Sequence, residues 1–404
     1  MTVRDGNGDR ERNKNRHAEL AQGPPQITVL SDGALPAEQA HRDTFDLWVK
    51  LGPIYDIIRH PDTQTPIAIG VFGRWGSGKT TAMRWLQGSL EVWNEQEEST
   101  GNEPKISVRT VWFDPWKYDS REDVWRGLLA EVILTSLEGK SRADAKKVLK
   151  DFGRFLGSSF IDVLDARFKW GVKHVADNAR SFLRPDKEYL NEYENKMCEW
   201  LEESLGPNQR MVIFIDDLDR CLPEVALEVL EGIKLYLGFE QLIFVVGVDK
   251  TMIEYLVQAH YDEVLKLESS KAVDTALVDD HQGDERRSGR DYLAKMFQVE
   301  VILEPTQQEI RGFLEEQLDS LGFLSGLDPD ELTMLKDLIL ELAQQSPREV
   351  NRLLNSALMA GAGSRYASDA SDHEQDVPED LRFRQGLQGL SSPLRAVSAF
   401  DSYR

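Results

Sequence analysis

Residues 67–72, IAIGVF, form a short apolar run that passes directly into Gly73-Arg74-Trp75-Gly76-Ser77-Gly78-Lys79-Thr80. The run has the length of a buried strand, and the residues that follow, Thr81 to Leu86, space their apolar side chains as a helix does. No other feature constrains the fold as much, because a strand joined to a helix by a glycine loop belongs to few architectures. The eight residues have the G-x-x-x-x-G-K-[ST] spacing, in which backbone N–H groups turn inward around a phosphate. Gly73, Gly76 and Gly78 allow the positive φ and close approach that such a loop needs. Lys79 then supplies a point charge for β- and γ-phosphates, and the Thr80 hydroxyl is placed to ligate Mg²⁺. Gly73, Trp75, Gly76, Ser77, Gly78, Lys79, Thr80 and Thr81 are the expected nucleotide-binding residues, with the phosphates at a helix N-terminus.

At 404 residues and 41% hydrophobic, the chain can build one large or two ordinary domains. A net charge of −22 argues against a surface that grips nucleic acid or anionic lipid as a whole. Cys198 and Cys221 are the only cysteines, with no C-x-x-C or H-E-x-x-H, so neither a disulfide framework nor a zinc site is indicated. The N-terminus is charged throughout, unlike a signal peptide, and no apolar run reaches ~18 residues. A cytoplasmic protein without an integral membrane segment is expected.

Residues 1–41 read as a flexible polar arm. Between Arg42 and Arg59 apolar residues recur at helical spacing around Gly52-Pro53, which suggests two short helices. SVRTVWF (107–113) reads as a second strand, followed by a helix from Arg121 to Leu137. A third strand, Met211 to Ile215, runs into Asp216-Asp217-Leu218-Asp219-Arg220, the Walker B pattern of a buried parallel strand with acids at its C-terminal edge. A fourth, Leu242 to Val248, ends in Asp249. With 107–113 as the extra strand, this is an α/β P-loop fold of the additional-strand type, a parallel sheet flanked by helices. The helical pattern after Pro305 adds a small C-terminal lid over 304–360, and 361–404 read as a polar tail.

Asp216 is the expected metal-side carboxylate, acting through water because Mg²⁺ keeps several of its own. Asp217 is placed to orient or activate the attacking water. The alternative is that Asp217 and Asp219 serve only as turn and cap residues before Pro223. Asp249 is either a sensor of the γ-phosphate or the cap of the helix that follows. Arg290, Lys295 and Arg220 are candidates for a basic finger reaching a neighbouring subunit's γ-phosphate, and Arg348 or Arg352 for a sensor in the lid. No N-K-x-D guanine-reading tetrapeptide occurs.

The blocks VFGRWGSGKTT, VWFDPWKYD, VIFIDDLDRCLPEVALEVLEGIKLYL, FVVGVDK, GRDYLAKMFQVEVILEP and SPREVNRLLN, in that order, resemble the KAP family of P-loop NTPases over roughly Asp43 to Asn355. The resemblance implies a Mg²⁺-dependent ATPase in which nucleotide state controls homo-oligomeric assembly or a protein partner, with roles that include signalling and phage exclusion. Many members insert transmembrane helices between the Walker A and Walker B segments. Here the corresponding stretch, about 140–190, has no such helix. Lys146 to Lys187 instead hold ten Lys/Arg and five Asp, a net +5, interleaved with aromatic residues. The commoner explanation of that pattern is a helix packed on its own domain, and the alternatives are a peripheral membrane contact, a partner helix or a nucleic-acid backbone. Residues 268–289 read as a mobile acidic loop.

Three functions follow: a nucleotide-controlled ATPase switch, a small-molecule or nucleotide kinase, and a nucleotide-binding scaffold with little hydrolysis. Residues 304–360 contain only Arg311, Arg348 and Arg352, few for a kinase lid.

Overall fold

Why the sheet forms where it does follows from its central strands, 67–72, 209–215 and 242–248, which are largely apolar and rich in β-branched side chains. The computed structural model describes residue 30 and residues 43–370, apart from 100–105, 119–120, 142, 145, 149–198, 202, 207, 237–239, 261–288 and 322–328. The N-terminal arm but for Leu30, nearly all of the basic insert, the acidic loop from 268 to 288 and the tail beyond 370 lie outside the described residues.

Five strands, β1 (Ile67–Phe72), β2 (Ser107–Phe113), β3 (Gln209–Ile215), β4 (Leu242–Val248) and β5 (Val299–Ile302), pair in the order β2-β3-β4-β1-β5. All four pairings are parallel, with Val111 opposite Ile213, Ile213 opposite Phe244, and Gly70 opposite Val246. Every residue of β4 is buried, as a central strand covered on both faces requires. The strand interposed between β1 and β3 is therefore β4, whereas 107–113, read above as the extra strand, lies at the edge beyond β3. A fifth strand was not anticipated: β5 is four residues long and half exposed, and its pairing with β1 is what defines it.

Alternate strand residues serve two cores. Met211, Ile213 and Ile215 face a layer that includes α3 (Arg121–Ser136), α4 (Pro223–Tyr236), the helix from 250 to 260, and α5 (Gly289–Met296), through Leu128, Val225, Ile253 and Leu293. Val212 and Phe214 face α1 (Leu47–Arg59) and α2 (Lys79–Ser99), through Ile54, Met83 and Leu86. The period of two along each strand sorts these faces.

The two short helices expected before β1 are one helix. Pro53 lies inside α1, held by a stripe of buried residues, Leu47, Leu51, Ile54 and Ile58, at helical spacing. The Asp43 carboxylate accepts from Leu47 N–H (2.8 Å) and Trp48 N–H (2.9 Å) at its start. At the other end of the sheet from the glycine loop, buried Arg210 donates to the carbonyls of Ile58 (2.6 Å), Pro61 (3.2 Å) and Thr63 (2.9 Å), tying the start of β3 to the end of α1 and the turn into β1.

The chain divides into two compact units, Ala34–Pro305 and a second that includes Thr306–Arg404. The second holds α6 (Gln307–Ser320), α7 (Pro329–Leu342) and α8 (Pro347–Ala370), so α8 runs well past Gly361 into the stretch read as tail. A capping box between Thr306 and Glu309 starts α6. In the same unit the Asn355 side chain brackets the backbone of Leu30, accepting from its N–H (2.8 Å) and donating to its carbonyl (2.9 Å). No described helix is long and apolar enough to cross a membrane.

Candidate nucleotide-binding site

The glycine loop leaves β1 at the C-terminal edge of the sheet, where Gly73 N–H donates to the carbonyl of Val248 at the end of β4 (3.3 Å). A side chain at Gly73 would meet the Leu303 carbonyl at 2.7 Å and the Ser77 hydroxyl. Gly76 (φ 79) and Gly78 (φ 94) adopt the left-handed conformations that turn N–H groups inward. Helix α2 begins at Lys79, so its N-terminal amides face the same loop.

Lys79 is only 8% exposed. Its ammonium donates to the carbonyls of Gly73 (3.0 Å) and Arg74 (3.2 Å) and lies 3.5 Å from Oδ2 of Asp219, whose side chain is 5% exposed. Asp216 directly follows β3 with 2% exposure and takes a hydrogen bond from the Thr80 side chain. Its Oδ1 is buried without a hydrogen-bond partner, as is the Ser77 hydroxyl. Burial pushes the Asp216 carboxyl up to about 6; the Thr80 hydrogen bond opposes this, the charge of Asp217 adds to it, and Lys79 opposes it weakly.

Asp217 follows in a left-handed conformation (φ 57), and its Oδ1 accepts from Arg220 Nε at 2.7 Å. Burial raises its pKa, Arg220 works against the rise, and Asp219 and Asp114 support it. The Arg220 guanidinium also stacks 4.6 Å from the ring centre of Trp75, which is 47% exposed, so the glycine loop and the Walker B turn are bridged by one side chain. Neighbouring Cys221 is no nucleophile, since burial first and then Asp219 and Asp217 push its thiol up to about 12.

A second group of side chains at this edge went unrecognised in the sequence. Asp114, just past β2, accepts from Trp112 Nε1 (2.8 Å) and from Lys117 (2.6 Å). Arg84 on α2 lies 3.4 Å from the centre of the Trp112 ring, and burial lowers its pKa against the pull of Asp114 and Asp216. The clue was the Asp-Pro-Trp-Lys that ends β2, an acid at a strand terminus like the one after β3. Asp249 accepts from the N–H groups of Thr251 (3.0 Å) and Met252 (3.3 Å), so it caps the helix that starts at Lys250. Arg290 is exposed on the first turn of α5, and Arg348 belongs to the helical unit.

Two expected results test this geometry. A Cβ at Gly247 on β4 would meet Met83 Sδ at 2.5 Å and Asp216 Oδ1 at 3.1 Å. Gly247→Ala should therefore cost about 1–3 kcal/mol by overpacking, read as a lower melting temperature. Asp216 tests the electrostatics. Because its folded pKa lies above its unfolded value, folding favours the protonated form, and its contribution becomes more unfavourable as pH rises from about 4 to about 6. Asp216→Asn should match wild type in thermal stability below pH 4 and exceed it above pH 6 in nucleotide-free protein, by up to about 3 kcal/mol. A pH-independent difference between the two would contradict the raised pKa.

The oxygens of Thr80 and Asp216 are hard donors of the type Mg²⁺ takes, and the unpartnered Asp216 Oδ1 fits a water of its hydration shell. Among the described residues no group of three or more His, Cys, Asp or Glu is placed to hold a metal unaided. A parallel sheet with β4 between the glycine-loop strand and the Walker B strand, and with Lys79, Thr80, Asp216 and Asp217 converging on one edge, defines a P-loop NTPase domain of the additional-strand class. The chain belongs to the KAP family, whose P-loop domain matches residues 52–361. No curated protein matches it.

Solved structures similar to this chain include the Drosophila ORC bound to DNA, with 12% identity over 89% of this chain and 70% of the other and a TM-score of 0.41. The Aeropyrum pernix ORC1 protein in complex with DNA shares 13% identity over 90% and 71%, with a TM-score of 0.40. A point variant of Thermotoga maritima RuvB shares 11% over 85% and 68%, with a TM-score of 0.33.

Proposed function

We propose that this protein hydrolyses ATP with Mg²⁺ and uses the nucleotide state as a switch. The observation that carries this reading is the buried, unpartnered Asp216 Oδ1 beside Thr80, an arrangement that costs stability unless a metal–phosphate group satisfies it. Lys79 and the loop amides would hold the phosphates, Thr80 and Asp216 the metal, and Asp217 the attacking water. The metal would supply charge neutralisation for the phosphates. The choice of adenine rests on the family and on the missing guanine motif.

The ion pair between Asp217 and Arg220 supports slow turnover, because the guanidinium held against Oδ1 makes the carboxylate a weaker acceptor for a proton from water. The same pair favours a second reading, a scaffold that binds nucleotide and awaits a partner to release Asp217. Nucleotide-dependent homo-oligomerisation, in signalling or phage defence, is the role the family suggests. Arg290 and Lys295, both exposed on α5, are candidates for a contact across subunits, Arg348 for a sensor on α8, and Asp249 for one just past β4.

Phosphate release with Mg²⁺ and ATP, measured together with light scattering in ADP, ATP and a non-hydrolysable analogue, tests the reading. Turnover with an ATP-dependent change in size is the expected result. Tight binding without turnover or size change would favour the scaffold, and absence of binding would overturn both.

A further inference from the structure

The glycine loop and the first Walker B acids leave one buried charge unused, the carboxylate of Asp219. It cannot be a surface turn residue, because its side chain is 5% exposed and its Oδ2 lies 3.5 Å from the Lys79 ammonium, itself buried. An ammonium has three N–H donors, and three acceptors surround this one: the carbonyls of Gly73 and Arg74 and Oδ2 of Asp219. Two are neutral and belong to the loop itself. The third is an anion delivered from the turn after β3, in the place where an anionic oxygen of a ligand would serve equally well. Arg220 does not relieve it, since that guanidinium is engaged with Asp217 and Trp75.

We propose that Asp219 is a positioning residue that occupies Lys79 in the phosphate-free loop and competes with the incoming polyphosphate for it. The proposal rests on the nucleotide-binding reading above and adds a sign to it. When phosphate oxygens take Lys79, Asp219 loses its cation while remaining buried beside a new negative charge. Both effects weaken binding, and both grow with the charge of the ligand. Asp219 thus holds Lys79 in place until phosphate arrives and keeps nucleotide affinity down, which assists the departure of products.

The test is isothermal titration of the full chain with ADP and with ATP, in EDTA at fixed ionic strength, for wild type, Asp219→Asn, Asp219→Glu and Lys79→Ala, with Asp219→Ser as a second neutral variant. Neutral variants should bind ATP about tenfold more tightly than wild type, and gain less for ADP. Asp219→Glu, which keeps the charge, should stay near wild type. A merely structural role would weaken binding, or move ADP and ATP alike, and either result overturns the proposal, as does unchanged affinity in the neutral variants. If wild type binds neither nucleotide, with or without Mg²⁺, the proposed function itself falls. If wild type binds, Lys79→Ala does not, and the neutral variants fail to gain, only the role of Asp219 is lost.

Discussion

Asp217→Asn is expected to keep nucleotide affinity close to that of wild type while slowing hydrolysis by a factor of about 10²–10⁴, the usual worth of a positioned general base. The two halves of this prediction have separate causes. The glycine loop, Lys79 and Asp216 are untouched, so the phosphates keep their partners. Asn has nearly the same shape as Asp and is among the few residues that tolerate the left-handed conformation Asp217 adopts, so the turn before Leu218 should hold. What disappears is the ability to take a proton from water. Single-turnover hydrolysis beside a binding titration reads both halves, and hydrolysis at the wild-type rate would remove Asp217 from the role.

Lys79→Ala should do the converse and more. Losing a buried charge partner for the phosphates costs about 3 kcal/mol or more, roughly a hundredfold or greater rise in Kd. The same substitution leaves Asp219 buried without its cation, and breaking a buried pair on one side costs about 3–5 kcal/mol of stability. Lys79→Ala should therefore melt well below wild type even without nucleotide. Adding Asp219→Asn should recover much of the melting temperature and none of the binding. A double variant that melts no higher than Lys79→Ala alone would show that the two side chains are not coupled.

The parts of the molecule that could be read from sequence are those whose chemistry is local. A phosphate loop needs its glycines, lysine and hydroxyl within eight residues, and a Walker B strand carries its acids at its own end, so both stand out. What could not be read depends on partners far apart in the chain. β5 is four residues of VEVI whose identity as a strand comes from pairing with β1, more than two hundred residues earlier. β4 was recognised as a strand, but its place between β1 and β3 is a property of the sheet, which is why 107–113 took its role in the sequence reading. Pro53 suggested a break, yet the buried stripe of α1 outweighs one missing hydrogen bond. The pairing of Asp219 with Lys79 and the packing of Arg84 on Trp112 join residues from different elements, and neither has a signature in spacing.

Arg210 carries a consequence of its own. Asp216 lies six positions further along the chain, roughly 20 Å of strand, so Arg210 is remote from the residues proposed to handle phosphate. Yet it holds the end of α1 and the turn that delivers the glycine-loop strand, and it does so from the strand that delivers the acids. The two halves of the site are thus aligned from below as well as at the site. An Arg210 substitution that leaves the fold intact would still remove this second tie between the two strands. Inactivity in such a variant would report lost alignment, and a screen that ranks positions by activity alone would mistake this anchor for a member of the catalytic set.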